Sequence, residues 1–415
     1  MLPSLYVASS MPPFVKTRIV DEDVEPIDFG ADVDLVGVSF MTFNAPRAYE
    51  IGDAFRRRGK PVIFGGYHPS FLPREAIAHA DAVCIGEAEP NVPQMIEDLR
   101  AGRLRSFYDA GPADLRRLPR VNRSLVRGSA YITPNVIQAT RGCPYRCSFC
   151  SVAAFACYRF RTRPIEDVVA ELASLGRFVL FMDDNLTADR EYAKELFARM
   201  VPLRKQWFSQ CGIGLADDAE LLRLASASGC RGLFVGLESL SQQNLDAWGK
   251  HPNRARGYAA AIRGLHQAGI GIYAGLVFGM DADTRHVFQQ TLTFLREARV
   301  DALQATILTP FPGTPLFAEL ERQGRIVDRD WSHYDFGHVV FEPKHMDADT
   351  LRSGLAWVQS HFYSWPSVLG RIARSLGYLG PSVVMRAMAP LNLGYRLRHS
   401  AYGTFERARC FRAAA

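Results

Sequence analysis

No stretch of this chain is apolar for long enough to cross a bilayer. Its opening, MLPSLYVASSMPP, lacks the basic start and apolar core of a secretory leader. Charge of one sign is also scarce. The net charge of +6 is spread over a chain that is 22% charged and 48% apolar, and Lys and Arg stay scattered until the C-terminal tail. These absences exclude a helical membrane span and leave no basis for nucleic-acid binding. The expected setting is the cytoplasm, where thiols stay reduced. The eight cysteines therefore read as three ligands and five others, not as disulfides. Cys84, Cys211 and Cys230 lie in apolar surroundings and read as small core residues, whereas Cys157 and Cys410 have no evident partner.

The three ligands stand in Arg141-Gly142-Cys143-Pro144-Tyr145-Arg146-Cys147-Ser148-Phe149-Cys150, just after a short apolar run from Asn135 to Ala139. Thiolates suit soft metals, and cysteine is the usual holder of iron–sulfur clusters. A cubane with only three protein thiolates keeps one iron open for a small molecule. The competing readings are a zinc knuckle and buried thiols. Zinc would want a fourth Cys or His nearby, and none follows before Cys157.

The first hundred residues alternate strand and helix patterns. Asp34 to Phe40 reads as a buried parallel strand, followed by a helix from Pro46 with Ala48, Ile51, Ala54 and Phe55 at helical spacing. Pro61 to Phe64 and Ala82 to Ile85 are further strands, with a short helix over Arg74 to His79. A last helix carries Val92, Met95, Ile96 and Leu99. This rhythm predicts a doubly wound α/β sheet, whose ligands bind at glycine-rich turns after strand C-termini. Here those turns are Ser39-Phe40-Met41-Thr42 and Gly65-Gly66.

Residues 106–129 read as a linker between a first domain at 1–105 and a second at 130–345, with a helical extension at 346–415. The second domain alternates again. Its later strands are expected at Phe178 to Met182, Trp207 to Ile213, Gly232 to Leu237, Gly271 to Phe278 and Ala302 to Leu308. Polar residues at the strand ends predict a partial (β/α)6 barrel of the TIM type with its site at the C-terminal face.

RGCPYRCSFC, RTRP, FMDDN, GLES, FGMD and TPFPGTPL, in that order between Tyr131 and Pro343, resemble the radical S-adenosylmethionine (SAM) superfamily, in its class with an N-terminal B12-binding domain. The resemblance implies that Cys143, Cys147 and Cys150 hold a [4Fe–4S] cluster and that Phe149 lies beside the adenine of SAM. It implies that Asp183, Asp184 and Asn185 accept from the SAM amine, a cation that needs such acceptors. Glu238 and Ser239 would reach the ribose and carboxylate, and Thr309 to Gly313 would edge the adenine. In the first domain, Ser39, Thr42, Gly65, Gly66 and His68 would line a cobalamin slot, with Glu87 in the same pattern. The D-x-H-x-x-G loop that replaces the lower cobalamin ligand is missing, and relatives carry a strand ahead of the equivalent of Leu2-Pro3, so the first domain looks truncated.

Each assignment has a plainer alternative. Paired aspartates after a strand are often helix N-caps. Glu238 is also a candidate partner for Arg231 or Arg163, and TPFPGTP for a rigid turn. His68 is otherwise a surface turn residue. After Pro343, Met346 to Tyr363 and a stretch through Arg374 read as helices, then an apolar and basic tail ends in FRAAA. That tail suits either packing on the barrel or a membrane surface.

The expected activity is reductive cleavage of SAM to a 5′-deoxyadenosyl radical, used for cobalamin-dependent methylation of an unactivated carbon. Cobalamin-independent radical cyclisation, oxidation or rearrangement is the alternative, and a non-catalytic iron–sulfur protein the second. The resemblance also implies a small-molecule or lipid-like substrate and a low-potential electron donor such as flavodoxin or ferredoxin.

Overall fold

The computed structural model describes residues 2–131, 133–401 and 404. The FRAAA ending lies outside them. Two parallel sheets follow one another along the chain. The first has strands β1 (Val36–Ser39), β2 (Val62–Gly65), β3 (Ala82–Cys84) and β4 (Phe107–Tyr108), ordered β1-β2-β3-β4. Helix Ala45–Arg56 covers one face through Ala48, Ile51 and Phe55, packed on Val62, Phe64 and Val83. Helix Val92–Arg100 covers the other through Val92, Met95 and Ile96, packed on Ile63, Ala82 and Cys84. Helices on both faces are what the alternating pattern predicted. Strand β4 lies within the stretch read as linker, so the first sheet runs past residue 105. The rest of that stretch winds through single turns at Leu115–Arg117, Arg123–Leu125 and Gly128–Ala130.

Leu2–Ser9 form a helix between the two sheets. Leu2 and Tyr6 are buried with Val136 of the second sheet, while Val7 packs against the core of the first.

The second domain opens with β5 (Val136–Ile137) and a small antiparallel pair, β6 (Thr140–Arg141) with β7 (Arg161–Thr162). Then come β8 (Phe178–Phe181), β9 (Gln206–Gln210), β10 (Cys230–Glu238), β11 (Gly271–Phe278) and β12 (Ala302–Ile307). Strands β5, β8, β9, β10, β11 and β12 pair in that order, all parallel, as a six-stranded partial barrel. All six strands fall where the apolar runs placed them. Leu233, Val235 and Leu237 belong to the core shared with the helices, so the alternate residues Phe234 and Glu238 face the interior. The C-terminal extension closes the floor. Leu379 and Met388 lie beside Gly271 at the start of β11, and Val383, Val384 and Met388 cluster with Phe208. The extension therefore packs mainly under the barrel. Helix Ala348–Phe362 ends as the apolar spacing predicted, and helix Trp365–Leu379 runs beyond Arg374.

Candidate active site

The cysteine loop is closed at its base by the β6/β7 pair, which leaves residues 142–160 as the loop proper. Gly142 has φ +80°, and a Cβ there would collide with the Arg159 carbonyl, so only glycine lets the chain turn into the loop. Cys147 is buried, Cys143 and Cys150 are half-buried, and Cys150 stands at the N-cap of helix Ser151–Phe155. A second segment, Trp248 to Lys250, props the loop from below. The Ser148 N–H donates to the Trp248 carbonyl at 3.0 Å, Cys147 Sγ lies 3.8 Å from the Gly249 carbonyl, and Phe149 packs 6.1 Å from the Trp248 ring. Burial pushes the Cys147 thiol up to about 11, and the nearby Lys250 ammonium opposes the shift. Burial likewise raises Cys150, opposed by the Ala153 amide and by Lys250.

Three thiols on one short loop beside a cation fit an iron–sulfur cluster.

The residues after β8 divide their work. Asp183 is buried, and its carboxylate accepts from the Ala139 N–H at 3.1 Å, the Thr140 N–H and the Thr140 hydroxyl at 2.7 Å. Those donors stitch the end of β8 to the entry of the cysteine loop. Burial pushes the Asp183 carboxyl up to about 7, although all three donors pull it down. Asp183 thus ties the end of β8 to the backbone and hydroxyl at the loop entry, with most of these bonds falling on one of its two oxygens. Asp184 accepts from the Gly142 N–H at 2.9 Å, and only one of its oxygens is used by that bond. Asn185 accepts from the Gly212 N–H at 3.1 Å and turns its amide nitrogen to 3.8 Å from Cys143 Sγ. None of the three caps the next helix; Asp189 does.

Glu238 sits at φ +64°, unusual for a residue with a side chain, after a bulge in β10. Its carboxylate folds back over Gly236 and pairs with Lys250 at 3.0 Å, not with Arg231 or Arg163. Arg163 pairs with Glu171 at 2.8 Å. Burial lowers the Lys250 ammonium, but Glu238, Cys147 and Cys150 together hold it above the ordinary lysine range. Lys250 is the residue that sequence reasoning missed, and its only signal was a Trp-Gly-Lys after GLES. Ser239 is buried and accepts from the Ser241 N–H at 3.1 Å, and Thr309 donates to the Ile307 carbonyl at 3.2 Å. Both hydroxyls serve their own turns. TPFPGTP is more than a rigid turn, because Gly313 lies directly against the Phe71 ring of the first domain.

In the first domain, β1 is an edge strand with one bare side. Ser39 is exposed, and nothing lies within 4 Å of where a Gly37 Cβ would stand. Gly66 borders this surface at φ +98°, and a Cβ there would come within 2.7 Å of the Phe40 carbonyl and 3.0 Å of Ser39 Oγ. Gly65 is half-buried beside it. Side-chain-free turns next to an open face fit a bulky ligand laid across the sheet edge. Thr42 and His68 are elsewhere. Thr42 is buried. His68 is fully buried, with Nε2 2.9 Å from the Tyr49 hydroxyl and the Trp331 ring 5.4 Å away. It is neither a surface turn residue nor exposed to a ligand.

The two domains meet around the cysteine loop. Glu87 pairs with Arg161 and lies 3.3 Å from Arg141, while Glu89 takes Arg141 at 2.5 Å. Burial raises the Glu87 carboxyl, but Arg161, Arg141 and the Ala113 N–H hold it below the usual carboxylate range. Tyr67, next to Gly66, stacks on Phe155 of the helix that Cys150 starts, with centroids 4.4 Å apart. Trp331 Nε1 donates to Glu75 at 2.8 Å, a further tie between the domains.

This chain matches two described families, the radical SAM superfamily over residues 137–295 and the B12 binding domain over residues 14–96. It is 33% identical over 383 residues to the bacteriochlorophyllide d C-12(1)-methyltransferase of Chlorobaculum tepidum, covering 89% of this chain and 83% of that relative. The chain belongs to the radical SAM superfamily. It is of the class with a B12-binding domain, and its cofactors are a [4Fe–4S] cluster, SAM and cobalamin. This radical SAM enzyme is also 29% identical to the bacteriochlorophyllide d C-8(2)-methyltransferase of the same organism, over 88% of this chain and 86% of that one. Its fold is shared with the cobalamin-dependent SAM radical enzyme OxsB at a TM-score of 0.63 and 15% identity, over 92% of this chain and 68% of that one. No helix among the described residues is long and apolar enough to cross a membrane.

Proposed function

We propose that this enzyme methylates an unactivated carbon of an apolar small molecule, with cobalamin carrying the methyl group. The observation that carries the reading is the contact of Tyr67 with Phe155, which sets the Gly65-Gly66 turn beside the cysteine loop. A methyl carrier and a radical source must work on one carbon, so their sites have to adjoin. When bound, the cluster and SAM supply a carbon radical, and cobalamin supplies the methyl group.

The chain's own residues hold and orient. Cys143, Cys147 and Cys150 would hold the cluster, and Phe149, packed on Trp248, would edge the adenine. The Asp184 oxygen left over from the Gly142 bond, together with Asn185, would accept from the SAM amine. The Glu238–Lys250 pair sits under the loop, where a ribose and a carboxylate need an acceptor and a cation. Ser39, Gly65 and Gly66 leave room for the cobalamin tail. The interior strand positions add Phe234 and Tyr273, whose rings meet edge to face at 4.9 Å and give the barrel an apolar wall. A tetrapyrrole macrocycle is the first substrate to test, because two bacteriochlorophyllide methyltransferases are 33% and 29% identical to this chain. A flavodoxin or ferredoxin in the reducing cytoplasm serves as electron donor.

The test is anaerobic reconstitution with methyl-labelled SAM, hydroxocobalamin, a reductant and a tetrapyrrole, followed by mass spectrometry. Labelled methyl on the macrocycle supports the proposal. Protein that keeps no corrinoid through gel filtration, yet releases 5′-deoxyadenosine, overturns methylation.

A further inference from the structure

The C-terminal extension has a surface that none of this chemistry uses. Helix Trp365–Leu379 buries Val368, Arg371, Ser375 and Leu379. The exposed residues of the same helix include Trp365, Leu369, Ala373 and Leu376, and none of them is charged. A surface helix of a globular protein normally shows the reverse arrangement, with its apolar stripe inward. Here the guanidinium is the buried group. Arg371 lies 3.9 Å from the Phe362 ring centroid and bonds to Asn392 and to the Phe362 carbonyl. Meanwhile Trp365, Leu369 and Leu376 are 46%, 58% and 46% exposed.

Charge decides what covers this face. From Thr350 to Ala401 the chain has six arginines and no Asp or Glu. The Arg396 guanidinium lies 5.3 Å from the Trp365 ring centroid, at the margin of the apolar face, and Arg386 and Arg398 are exposed. The carboxylate that the helix does reach, Asp301, is buried, where it bonds to Tyr378 and to the Ile272 N–H. A second copy docked by the same face would set arginines against arginines, because a two-fold interface pairs a patch with itself. An apolar face with a tryptophan at one end and a cationic margin matches an anionic lipid surface instead.

We propose that helix Trp365–Leu379 and the arginines beside it seat this enzyme on an anionic bilayer, lying in the interface plane without crossing it. The reading is independent of the reaction, since it uses no residue of the cofactor sites.

Full-length protein is spun with phosphatidylcholine vesicles, with or without about a third phosphatidylglycerol. The expected result is co-sedimentation with the anionic vesicles only, reversed by high salt, which screens the arginines. The pair Leu369→Asp and Leu376→Asp abolishes it while iron content and melting temperature stay at the wild-type values, since both positions are exposed. Arg386→Gln and Arg398→Gln each weaken apparent affinity about fivefold. Failure to bind anionic vesicles overturns the proposal, as does binding that survives the two aspartates. If those aspartates instead dissolve a dimer, or a complex with an acidic protein, and wild-type protein ignores vesicles, the face is a protein interface and the proposal falls.

Discussion

Replacing Asp183 with Ala separates a structural carboxylate from a ligand-binding one. The substitution leaves the Ala139 and Thr140 amides without their acceptor, while the Thr140 hydroxyl can rotate elsewhere. Two buried, unsatisfied amides cost about 1–3 kcal/mol each, or about 2–6 kcal/mol in sum. A pH dependence is superimposed. Burial raises the folded carboxyl from 3.8 to about 7, so between those values the folded chain binds more protons than the unfolded one. Stability from this group is therefore fully present below about pH 4 and is lost as pH rises toward 7, by about 1.4 kcal/mol per unit and about 4 kcal/mol in all. Asp183→Ala abolishes that slope. The destabilisation should be larger near pH 5 than near pH 8, by about 3 kcal/mol. Urea unfolding of the full-length chain, thiols reduced, followed by circular dichroism at both pH values, measures it. Coincident wild-type and variant curves near pH 5, or a gap that widens with pH, would refute the reasoning.

Three further outcomes follow from the same contacts. Cys143→Ser, Cys147→Ser and Cys150→Ser should each strip iron and sulfide from anaerobically purified protein, while Cys157→Ser should not; full iron in any of the first three sinks the cluster assignment. Lys250→Ala leaves the half-buried Glu238 carboxylate without its partner and should cost about 2–3 kcal/mol, below the full penalty of a buried pair, with Lys250→Arg much milder. A Lys250→Ala protein that melts with the wild type would show that water replaces the ammonium at no cost. Glu87→Gln weakens the hold on Arg161 and Arg141, each charge-assisted bond being worth about 1.5–3 kcal/mol, and should speed proteolysis of the connection between the domains. Unchanged digestion would mean that Trp331–Glu75 and Tyr67–Phe155 hold the domains by themselves.

The sequence by itself determined the strands, the cysteine loop and the class of chemistry. Each strand is marked by a local apolar run, and β5 and β8 through β12 occur almost at the limits that those runs set. The C-x3-C-x2-C spacing is equally local, since one loop carries all three thiols. What the polar residues do was decided by tertiary structure. Asp183, Asp184 and Asn185 are three adjacent residues of similar chemistry, yet the first accepts from the Ala139 and Thr140 amides and the Thr140 hydroxyl, the second gives one oxygen to Gly142, and the third accepts from Gly212. Which one keeps a lone pair for a ligand depends on where distant N–H groups fall, and periodicity carries no record of that. Glu238 with Lys250, Glu87 with Arg141 and Arg161, and His68 beneath Trp331 are contacts of the same kind, made across loops or between domains. Helix Trp365–Leu379 makes the point most sharply. The sequence revealed a helical stretch here, but only packing showed that Arg371 turns inward and Leu369 outward, because periodicity leaves open which face the rest of the chain covers.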